Sequence, residues 1–464
     1  MGIGRLLDIS VRSMAAYQRA MDVTSQNIAN AGNPEYTRQK TVFATEETQA
    51  GIGMGVKIQD VLRIKNNLLD NQIRKYQSSF SEAEKRSELL QQIESVIAEP
   101  SEIGLSSYMT EFFNSWSQLA ANPNSIQLRT QIIQKAQRLS ERFSEIFEGF
   151  ASVQSMLQRE AIVKTNEVNG YLKEIAEMNH RIYESEAKGI RASELKDKRD
   201  SIIDKLSELV NITVNFNEFG AAIINVGGVQ GADQNVSAEF EVSFVNNKMR
   251  IVSKNDKNAI ALLNSGELFT ATDLYSNKIP EYRTGFENLA NAFVNKVNEF
   301  HMQGFTLVQS GSSSTGIPFF GTLDTSGNVV DAFVNGQIRI NDNILNNPKN
   351  ISVSSSANND GNGSIANLIA SVGDLKIAEL GNQSIFETYT GLLNTFGVDK
   401  VVSDNKIESN GLVIQQLKNQ KSSYSGVSID EEMTNVIKFQ RSYEAAAKLI
   451  KVVNEMMETI IQLV

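Results

Sequence analysis

Cysteine is absent from the 464 residues, and histidine occurs only at His180 and His301. The first absence excludes disulfide bonds and catalysis by a thiolate. Two histidines cannot complete a typical structural zinc site, so we predict neither a metal nor a cofactor. Each histidine lies in a helical pattern, and we expect its ring to be solvated or to cap a helix end.

Long apolar runs and an excess of basic residues are also missing. No apolar run approaches the ~20 residues of a membrane-spanning helix, so membrane insertion is not predicted. Asp8, Arg12 and Arg19 interrupt the first twenty residues, so we expect no signal-peptide core there. A net charge of −10 disfavours binding to nucleic acid or to an anionic membrane.

The short motifs of common enzyme classes do not occur either, among them HExxH, GxSxG and GK[ST]. The glycine-rich run AGIGMGV at 50–56 lacks the spacing of a phosphate loop and is expected to form a bend. Glu431 and Glu432 suit the first turn of a helix, where they complement its dipole. Trp116, the one tryptophan, is expected in the core. No enzyme is predicted, although two carboxylates within 211–360 could meet as a hydrolase site.

The first thirty residues do contain a clear seven-residue repeat. Apolar or small groups recur at alternating steps of four and three, which predicts a helix with one narrow seam. Asn30, Gly32 and Pro34 should end that helix. The seam positions are Ile3, Leu7, Ser10, Met14, Tyr17, Met21, Thr24 and Ile28.

A second helix of the same kind is predicted from Ser428 onward, because Ser428 and Glu431 have capping-box spacing. Its seam follows Ile429, Met433, Val436, Gln440, Tyr443, Ala447, Ile450, Asn454, Met457, Ile461 and Val464. A second apolar stripe widens this face and contains Ile437, Ala446, Val453 and Ile460.

Two such helices cannot bury both stripes against each other, so we predict that they pair and that further copies of the chain cover the remainder. Gln440 and Asn454 would then set the register of the assembly. An isolated subunit should have unfolded ends that limited proteolysis removes first. The alternative is a helix packed on the core of its own domain. The predicted assembly interface comprises Leu7, Met14, Met21, Ile28, Met433, Val436, Gln440, Tyr443, Ile450, Asn454, Met457 and Ile461.

The middle of the chain changes character. Apolar residues recur at steps of four and three over 132–182, which predicts a helical rod about 75 Å long at ~1.5 Å per residue. Only Lys164 interrupts the apolar pattern. We expect that the helix can bend at Asn169-Gly170. Alternating residues around a turn at Asn246-Asn247 predict a β-hairpin. Later helical segments are expected at 364–380, 384–396 and 407–424, with breaks at Gly381 and Gly397.

These patterns predict a mainly α fold with a β-rich insertion, in an elongated subunit of nested domains. The predicted parts are a terminal coiled-coil domain (1–60 and 420–464), a helical rod domain (61–210, 280–305 and 364–419), and a β-rich outer insertion (211–279 and 306–363) that projects away.

The two ends carry a recognisable pattern. The segment MAAYQRAMDVTSQNIANAGNPEYTRQ resembles the amino-terminal signature of the bacterial flagellar axial proteins, which include rod, hook and hook-associated proteins. Residues 425–460 resemble the matching carboxy-terminal signature. The signature residues here are Asn27, Asn30, Pro34, Tyr36, Arg38 and Gln39.

Within that family the likeness is greatest to the subunits of the hook–filament junction. It is carried by NPEYTRQ (33–39), SGVSIDEEM (425–433), and the helix and loop at 286–307 and 318–320. The alternatives are a hook or distal rod subunit, or an extracellular adhesin or enzyme on a helical stalk.

The resemblance implies a structural role without catalysis. The terminal helices would form an inner coiled-coil tube, the helical rod a surrounding shell, and the insertion an outer surface. The implied partners are further copies of the chain, the hook protein, the next junction protein, and a cytoplasmic export chaperone on the C-terminal helix. The subunit would leave the cell unfolded through the flagellar type III apparatus and reside in the extracellular flagellum.

Overall fold

The computed structural model describes residues 3–47, 53–99, 101 and 104–462. It is 63% helical with several small antiparallel sheets, which confirms a mainly α fold with β structure in its middle. The α-helices are α1 (Ile3–Ala29), α2 (Asn67–Ile97), α3 (Leu105–Ala121), α4 (Ile126–Ala187), α5 (Ser193–Leu209), α6 (Glu267–Asp273), α7 (Ile279–Gln303), α8 (Asp342–Asn346), α9 (Ser364–Ala370), α10 (Ile385–Ser425) and α11 (Ile429–Gln462).

The strands are short except for the first two. They are β1 (Gln39–Glu47), β2 (Gly53–Arg63), β3 (Ile212–Phe216), β4 (Ala222–Val226), β5 (Val229–Ala232), β6 (Phe240–Val245), β7 (Lys248–Ser253), β8 (Thr322–Leu323), β9 (Val329–Val330), β10 (Phe333–Val334) and β11 (Gln337–Ile338). The sheets pair β1 with β2, β3 with β4 and β5, β6 with β7, β8 with β9, and β10 with β11.

The predicted rod is confirmed as α4, a single helix of 62 residues. Ser125 caps its start by accepting a hydrogen bond from the Leu128 backbone N–H at 3.3 Å. At this point of the buried face Thr165 is buried in place of Lys164. The Lys164 ammonium forms an ion pair with Glu267 at 2.9 Å. The helix also continues through Asn169 and Gly170 without a break.

The strands of the middle segment pack along α4, so the expectation that the insertion projects away was wrong. The side-chain amide of Asn169 exchanges two hydrogen bonds with the backbone of Phe240, both at 2.8 Å. Asn179 does the same with Ala222, at 2.8 and 2.9 Å. Polar side chains of the rod thereby satisfy strand-edge groups that would otherwise be buried without partners.

The hairpin turn predicted at Asn246-Asn247 is confirmed between β6 and β7. Both residues have positive φ angles, of 52° and 61°, which asparagine tolerates better than most residues. A second hairpin, β1 with β2, was not predicted from the sequence. The run at 50–56 falls partly within it: residues 53–56 begin β2, and the rest lie outside the described residues. Helical structure then starts at Asn67 and not at residue 61.

The predicted break at Gly381 is confirmed, with φ of 68°, but the break at Gly397 was wrong. Helix α10 continues through Gly397 because its neighbour Phe396 packs on Tyr282, with ring centroids 3.9 Å apart. This packing offsets the ~1 kcal/mol that a mid-helix glycine costs. Ser384 and Glu387 form a complete capping box at the start of the helix.

The core is continuous from the helices into the strands and has a dense aromatic centre. Trp116 is fully buried there, as predicted. Its ring meets Phe319 edge-on at 5.4 Å and His301 at 6.1 Å. His301 is therefore a core residue, and the expectation that it is solvated or caps a helix end was wrong. His180 is exposed, as expected. Within the described residues, no helix combines the length and apolarity needed to cross a membrane.

Candidate assembly site at the terminal segments

Asn27 is the centre of the contact between the two ends of the chain. It is buried in the last turns of α1. Its amide group donates to the Gln39 carbonyl at 2.8 Å and to Glu432 Oε2 at 3.0 Å. Its side-chain oxygen accepts from the Tyr36 hydroxyl at 2.8 Å and from the Gln39 N–H at 3.0 Å. All four hydrogen-bonding positions of the amide are therefore used.

Arg38 binds the same carboxylate from the other side. Its guanidinium donates to Glu432 Oε1 from Nε at 2.8 Å and approaches Glu431 Oε1 at 2.8 Å. The hydrogen bond to Glu431 raises the pKa of Arg38 and lowers the pKa of Glu431. Burial raises the pKa of Tyr36 to about 12, so its hydroxyl stays a donor to Asn27. We call Asn27, Tyr36, Arg38, Gln39 and Glu432 the terminal clasp.

The other two signature residues, Asn30 and Pro34, lie in the turn that connects α1 to the β1 side of the terminal clasp. Asn30 donates from its side chain to the Gln26 carbonyl at 2.9 Å, which closes the end of α1. Pro34 is exposed within the turn, where the Tyr36 N–H donates to the Asn33 carbonyl at 3.2 Å. The signature residues are thus brought together by the structure, and each has a local structural role.

Helix α11 begins where the capping-box spacing predicted. The Glu431 N–H approaches Ser428 Oγ at 3.4 Å, so only the serine half of the box forms. The Glu431 carboxylate turns to Arg38 instead of back to the cap. This ion pair was missed because no local pattern links residues 38 and 431.

The terminal helices α1 and α11 pair in antiparallel orientation, which agrees with the pairing expected from the sequence. Asn27 lies beside Glu432, and Tyr17 stacks on Phe439 with centroids 6.5 Å apart. Phe43 of β1 completes this aromatic group, 5.7 Å from Phe439. Further along, the buried α11 residues are Ala446 and Val453, which belong to the second predicted stripe.

The predicted interface residues divide into two groups in the single chain. Those partly covered by the helix pair are Leu7, Met14, Met21, Ile28, Val436, Tyr443 and Ile450. Those left exposed are Met433, Gln440, Asn454, Met457 and Ile461. Val464 lies outside the described residues. The polar pair Gln440 and Asn454 is exposed here, so any role in register setting depends on other copies.

A large apolar surface on α11 has no cover within the described chain. We call it the open stripe; its residues are Met433, Ile437, Leu449, Val452, Met456, Met457, Ile460 and Ile461. Exposed apolar side chains in this number on one helix are typical of an interaction site. Both terminal segments are helical, however, so the expectation of unfolded ends is not met in this structure. The terminal clasp supplies the tertiary contacts that such helices need.

A second polar cluster joins the terminal segments to α5. The Thr37 hydroxyl donates to Asp197 Oδ1 at 2.6 Å, and Arg63 forms ion pairs with Asp197 and with Asp200. Lys65 also pairs with Asp200. Burial alone would raise the pKa of Asp200, but the charges of Lys65 and Arg63 overcome it and lower that pKa.

Sequence reasoning missed the carboxylate in the terminal clasp, although a signal was present. Glu432 lies one heptad before Phe439, and the same spacing continues to Ala446 and Val453. A carboxylate at an apolar position of a heptad needs a buried cationic or amide partner. If the second stripe had been identified as the buried face of α11, Glu432 would have been predicted to be a buried carboxylate with a polar partner.

Comparison with known proteins agrees with this geometry. Residues 90–320 match the family described as the flagellar hook-associated protein FlgK helical domain. Residues 419–463 match the C-terminal family of the flagellar basal body rod FlgEFG proteins. The second match coincides with α11 and the terminal clasp's Glu432.

The chain is also similar to curated proteins over nearly its full length. It is 29% identical to flagellar hook-associated protein 1 of Bacillus subtilis, covering 98% of this chain and 97% of the relative. It is 23% identical to flagellar hook-associated protein 1 of Escherichia coli, with 99% of each covered. The flagellar hook junction protein FlgK of Burkholderia pseudomallei is 19% identical to this chain, with a TM-score of 0.47, over 53% of this chain and 46% of its own.

Proposed function

Because the chain belongs to the family of flagellar hook-associated protein 1, a group of flagellar structural proteins, we propose that it joins the flagellar hook to the filament by polymerising with copies of itself. The observation that carries this proposal is the open stripe on α11. Antiparallel pairing with α1 covers one face of α11 and leaves these apolar side chains exposed. Neighbouring copies would cover them and gain about 25 cal/mol per Å² of apolar surface buried.

The proposed arrangement follows the nested order of the chain. The terminal coiled-coil domain (1–60 and 420–464) would face the centre of the axial structure. The helical rod domain (61–210, 280–305 and 364–419) would surround it, and the β-rich segments (211–279 and 306–363) would lie outermost. Since those segments pack along α4, they would cover the rod as an outer layer of the same body.

The proposed partners fall into two sets. In the axial structure they are further copies of the chain, the hook protein on one side and the next junction protein on the other. Before assembly the partner is a cytoplasmic export chaperone that masks α11, because the open stripe would otherwise self-associate. Export through the flagellar type III apparatus would then place the subunit outside the cell, in the flagellum. Neither nucleic acid nor membrane insertion is part of the proposal.

Immunogold labelling of intact flagella tests the position. Antibody against residues 240–253, the β6–β7 hairpin, should give one band between hook and filament. Labelling along the whole hook, or below it in the rod, would instead favour a hook or distal rod subunit. Absence of label from the flagellum would exclude all three axial roles.

Replacing Met457 by glutamate is expected to reduce the number of labelled junctions at least tenfold. Its side chain is 44% exposed in the single chain, so the subunit should fold, whereas a carboxylate in an apolar contact between copies would be buried without a partner. A tenfold loss corresponds to about 1.4 kcal/mol. The measurement is the fraction of flagella with a labelled junction.

Leu323→Glu is the matched control, because Leu323 is also 43% exposed but lies in β8, outside the hairpin that the antibody recognises. It should assemble normally. The amount of each variant in the culture medium separates failed export from failed assembly. Normal incorporation of Met457→Glu would contradict the assigned interface.

A further inference from the structure

An open groove lies on the side of α1, between that helix, strand β2 and the loop that follows α4. Its volume is about 530 Å³, within the range of pockets that bind ligands. Ala15, Ala16, Val56 and Ile58 supply an apolar floor. Ile190 stands exposed at its edge. The groove therefore combines an apolar floor with a charged rim.

The charges around this groove are unbalanced. Its three acidic residues are each paired: Glu46 with Arg12 at 2.8 Å, Asp60 with Arg191 at 2.6 Å, and Glu186 with Lys196. Its two remaining bases, Arg19 and Lys57, are exposed and have no carboxylate within salt-bridge distance among the described residues. The groove thus presents two unpaired positive charges beside an apolar floor.

The complementary feature is the end of α11. Continuing the antiparallel register from the Asn27–Glu432 contact places Val453 beside the first described turn of α1. By that register residues 457–462 extend beyond the turn, and the whole segment 454–462 is exposed. This segment, the α11 overhang, carries two acidic residues with apolar residues between and after them. Glu458 has no basic partner among the described residues, and Glu455 has only Lys451 at 3.9 Å.

The overhang of a subunit cannot reach the groove of the same subunit. Along the paired helices, Glu458 and Arg19 lie on opposite sides of the first turn of α1. At ~1.5 Å per residue they are about 30 Å apart along the axis. A rigid helix cannot fold back over that distance, so only another molecule can fill the groove with this segment.

We propose that the α11 overhang of one subunit docks into the groove of the next subunit, with Glu455 and Glu458 against Arg19 and Lys57. Met457 and Ile461, which lie next to Glu458 on the helix surface, would cover the apolar floor and Ile190. The contact is heterologous, because the two surfaces are different parts of the chain, and so it continues from subunit to subunit without closing a dimer. This inference rests on the proposed function and identifies which two surfaces of the chain meet when copies polymerise.

Cross-linking between introduced cysteines tests the contact. Because the chain has no native cysteine, only the introduced residues can form disulfides within or between its copies. Gln59 lines the groove and Thr459 lies on the overhang, and both are exposed. A chain carrying Gln59→Cys and Thr459→Cys, assembled in flagella and oxidised, should give a ladder of dimers and higher multimers. The pairing of Lys173→Cys with Thr459→Cys is the control and should give at least tenfold less cross-linked product.

Charge reversal provides a second measurement that does not depend on cysteine geometry. In that cross-linking chain, Arg19→Glu with Lys57→Glu should reduce multimers at least tenfold, and so should Glu455→Lys with Glu458→Lys. The four changes together should restore them to within threefold. Arg138→Glu with Lys173→Glu alters the net charge equally on exposed parts of α4 and should change nothing.

The outcomes separate this contact from the proposed function. Subunits found at the junction by labelling but without the ladder and without charge rescue would overturn the docking and leave the function intact. Subunits absent from the flagellum would overturn both. A ladder together with charge rescue would establish the contact and its direction.

Discussion

Glu432→Ala is expected to weaken the docking of α11 on α1 by about 3 kcal/mol. Glu432 is buried and accepts hydrogen bonds from Asn27 Nδ2 at 3.0 Å and from Arg38 Nε at 2.8 Å. Its removal leaves a buried amide donor and a mostly buried guanidinium without their main acceptor. Breaking a buried ion pair from one side typically costs 3–5 kcal/mol, and the remaining contact of Arg38 with Glu431 offsets part of that cost.

Hydrogen exchange measures this loss locally. A docking free energy lower by about 3 kcal/mol corresponds to exchange roughly a hundredfold faster in the backbone amides of α11, since every 1.4 kcal/mol is tenfold. Amides of α4 should be unaffected, because α4 packs in the core away from the terminal clasp. Limited proteolysis should remove α11 from the variant before it cleaves the body.

Glu431→Ala is the matched control on the adjacent residue. Glu431 contacts the same guanidinium at 2.8 Å, but its side chain is 59% exposed. Exposed ion pairs contribute about 0.2–1 kcal/mol, so the α11 amides should exchange less than tenfold faster. Equal effects of the two substitutions would show that Glu432 is not a buried acceptor and that the terminal clasp does not hold the helix pair together.

Local patterns predicted much of the fold, and the failures have identifiable causes. The apolar spacing over 132–182 predicted α4, because the local pattern and the burial agree there. The hairpin at Asn246-Asn247 was predicted for the same reason. A break at Gly397 was predicted because glycine has a poor helix propensity, but tertiary packing of Phe396 on Tyr282 keeps the helix continuous. Propensity misleads where a neighbouring helix supplies the compensating contact.

The candidate site was predicted in part, for a different reason. A seam shows which residues are apolar, but the partner decides which edge of a wide apolar face is buried. Here α1 buries Ala446 and Val453 of the second stripe, whereas Ile437 and Ile460 of the same stripe stay exposed. The Asn27–Glu432 bond joins residues 405 positions apart. No periodicity within either helix contains that information.

The two polar clusters explain how a long helix pair can be held to the body without a large apolar contact. The terminal clasp orients α11 on α1, and the cluster of Arg63 and Lys65 with Asp197 and Asp200 fixes the connecting segments to α5. Ion pairs and hydrogen bonds specify geometry more strictly than apolar packing does. The apolar surface of α11 is thereby left available for contacts between molecules.

His301 should make the stability of the body depend on pH between about 4 and 6.5. Its ring is completely buried: Nδ1 donates to the Ile317 carbonyl at 2.7 Å, and Nε2 accepts from the Ser352 N–H at 2.9 Å. Protonation would break the second bond and place a cation near buried Arg129. Burial lowers the pKa of His301 to about 4, from a usual value near 6.5, and the charge of Arg129 adds to this effect.

The direction of the effect follows from proton binding. Between pH 6.5 and 4 the unfolded chain protonates His301 and the folded chain does not, so the free energy of unfolding falls as the pH falls. A difference of about 2.5 pKa units corresponds to roughly 3 kcal/mol lost by pH 4, with no contribution from this residue above pH 7. Below pH 4 the folded state also takes up the proton and the loss levels off.

Urea denaturation of the wild type and of His301→Gln, repeated from pH 7.5 to 4.5, isolates this contribution. The variant should be less stable at pH 7.5, because one buried hydrogen bond is lost. Its stability should nevertheless fall less steeply with acid, so the two curves converge by about 2–3 kcal/mol toward pH 4.5. His180→Gln is the control, since its ring is exposed, and should reproduce the wild-type slope. Parallel curves for wild type and His301→Gln would show that the buried ring does not resist protonation and that acid sensitivity arises from the carboxylates alone.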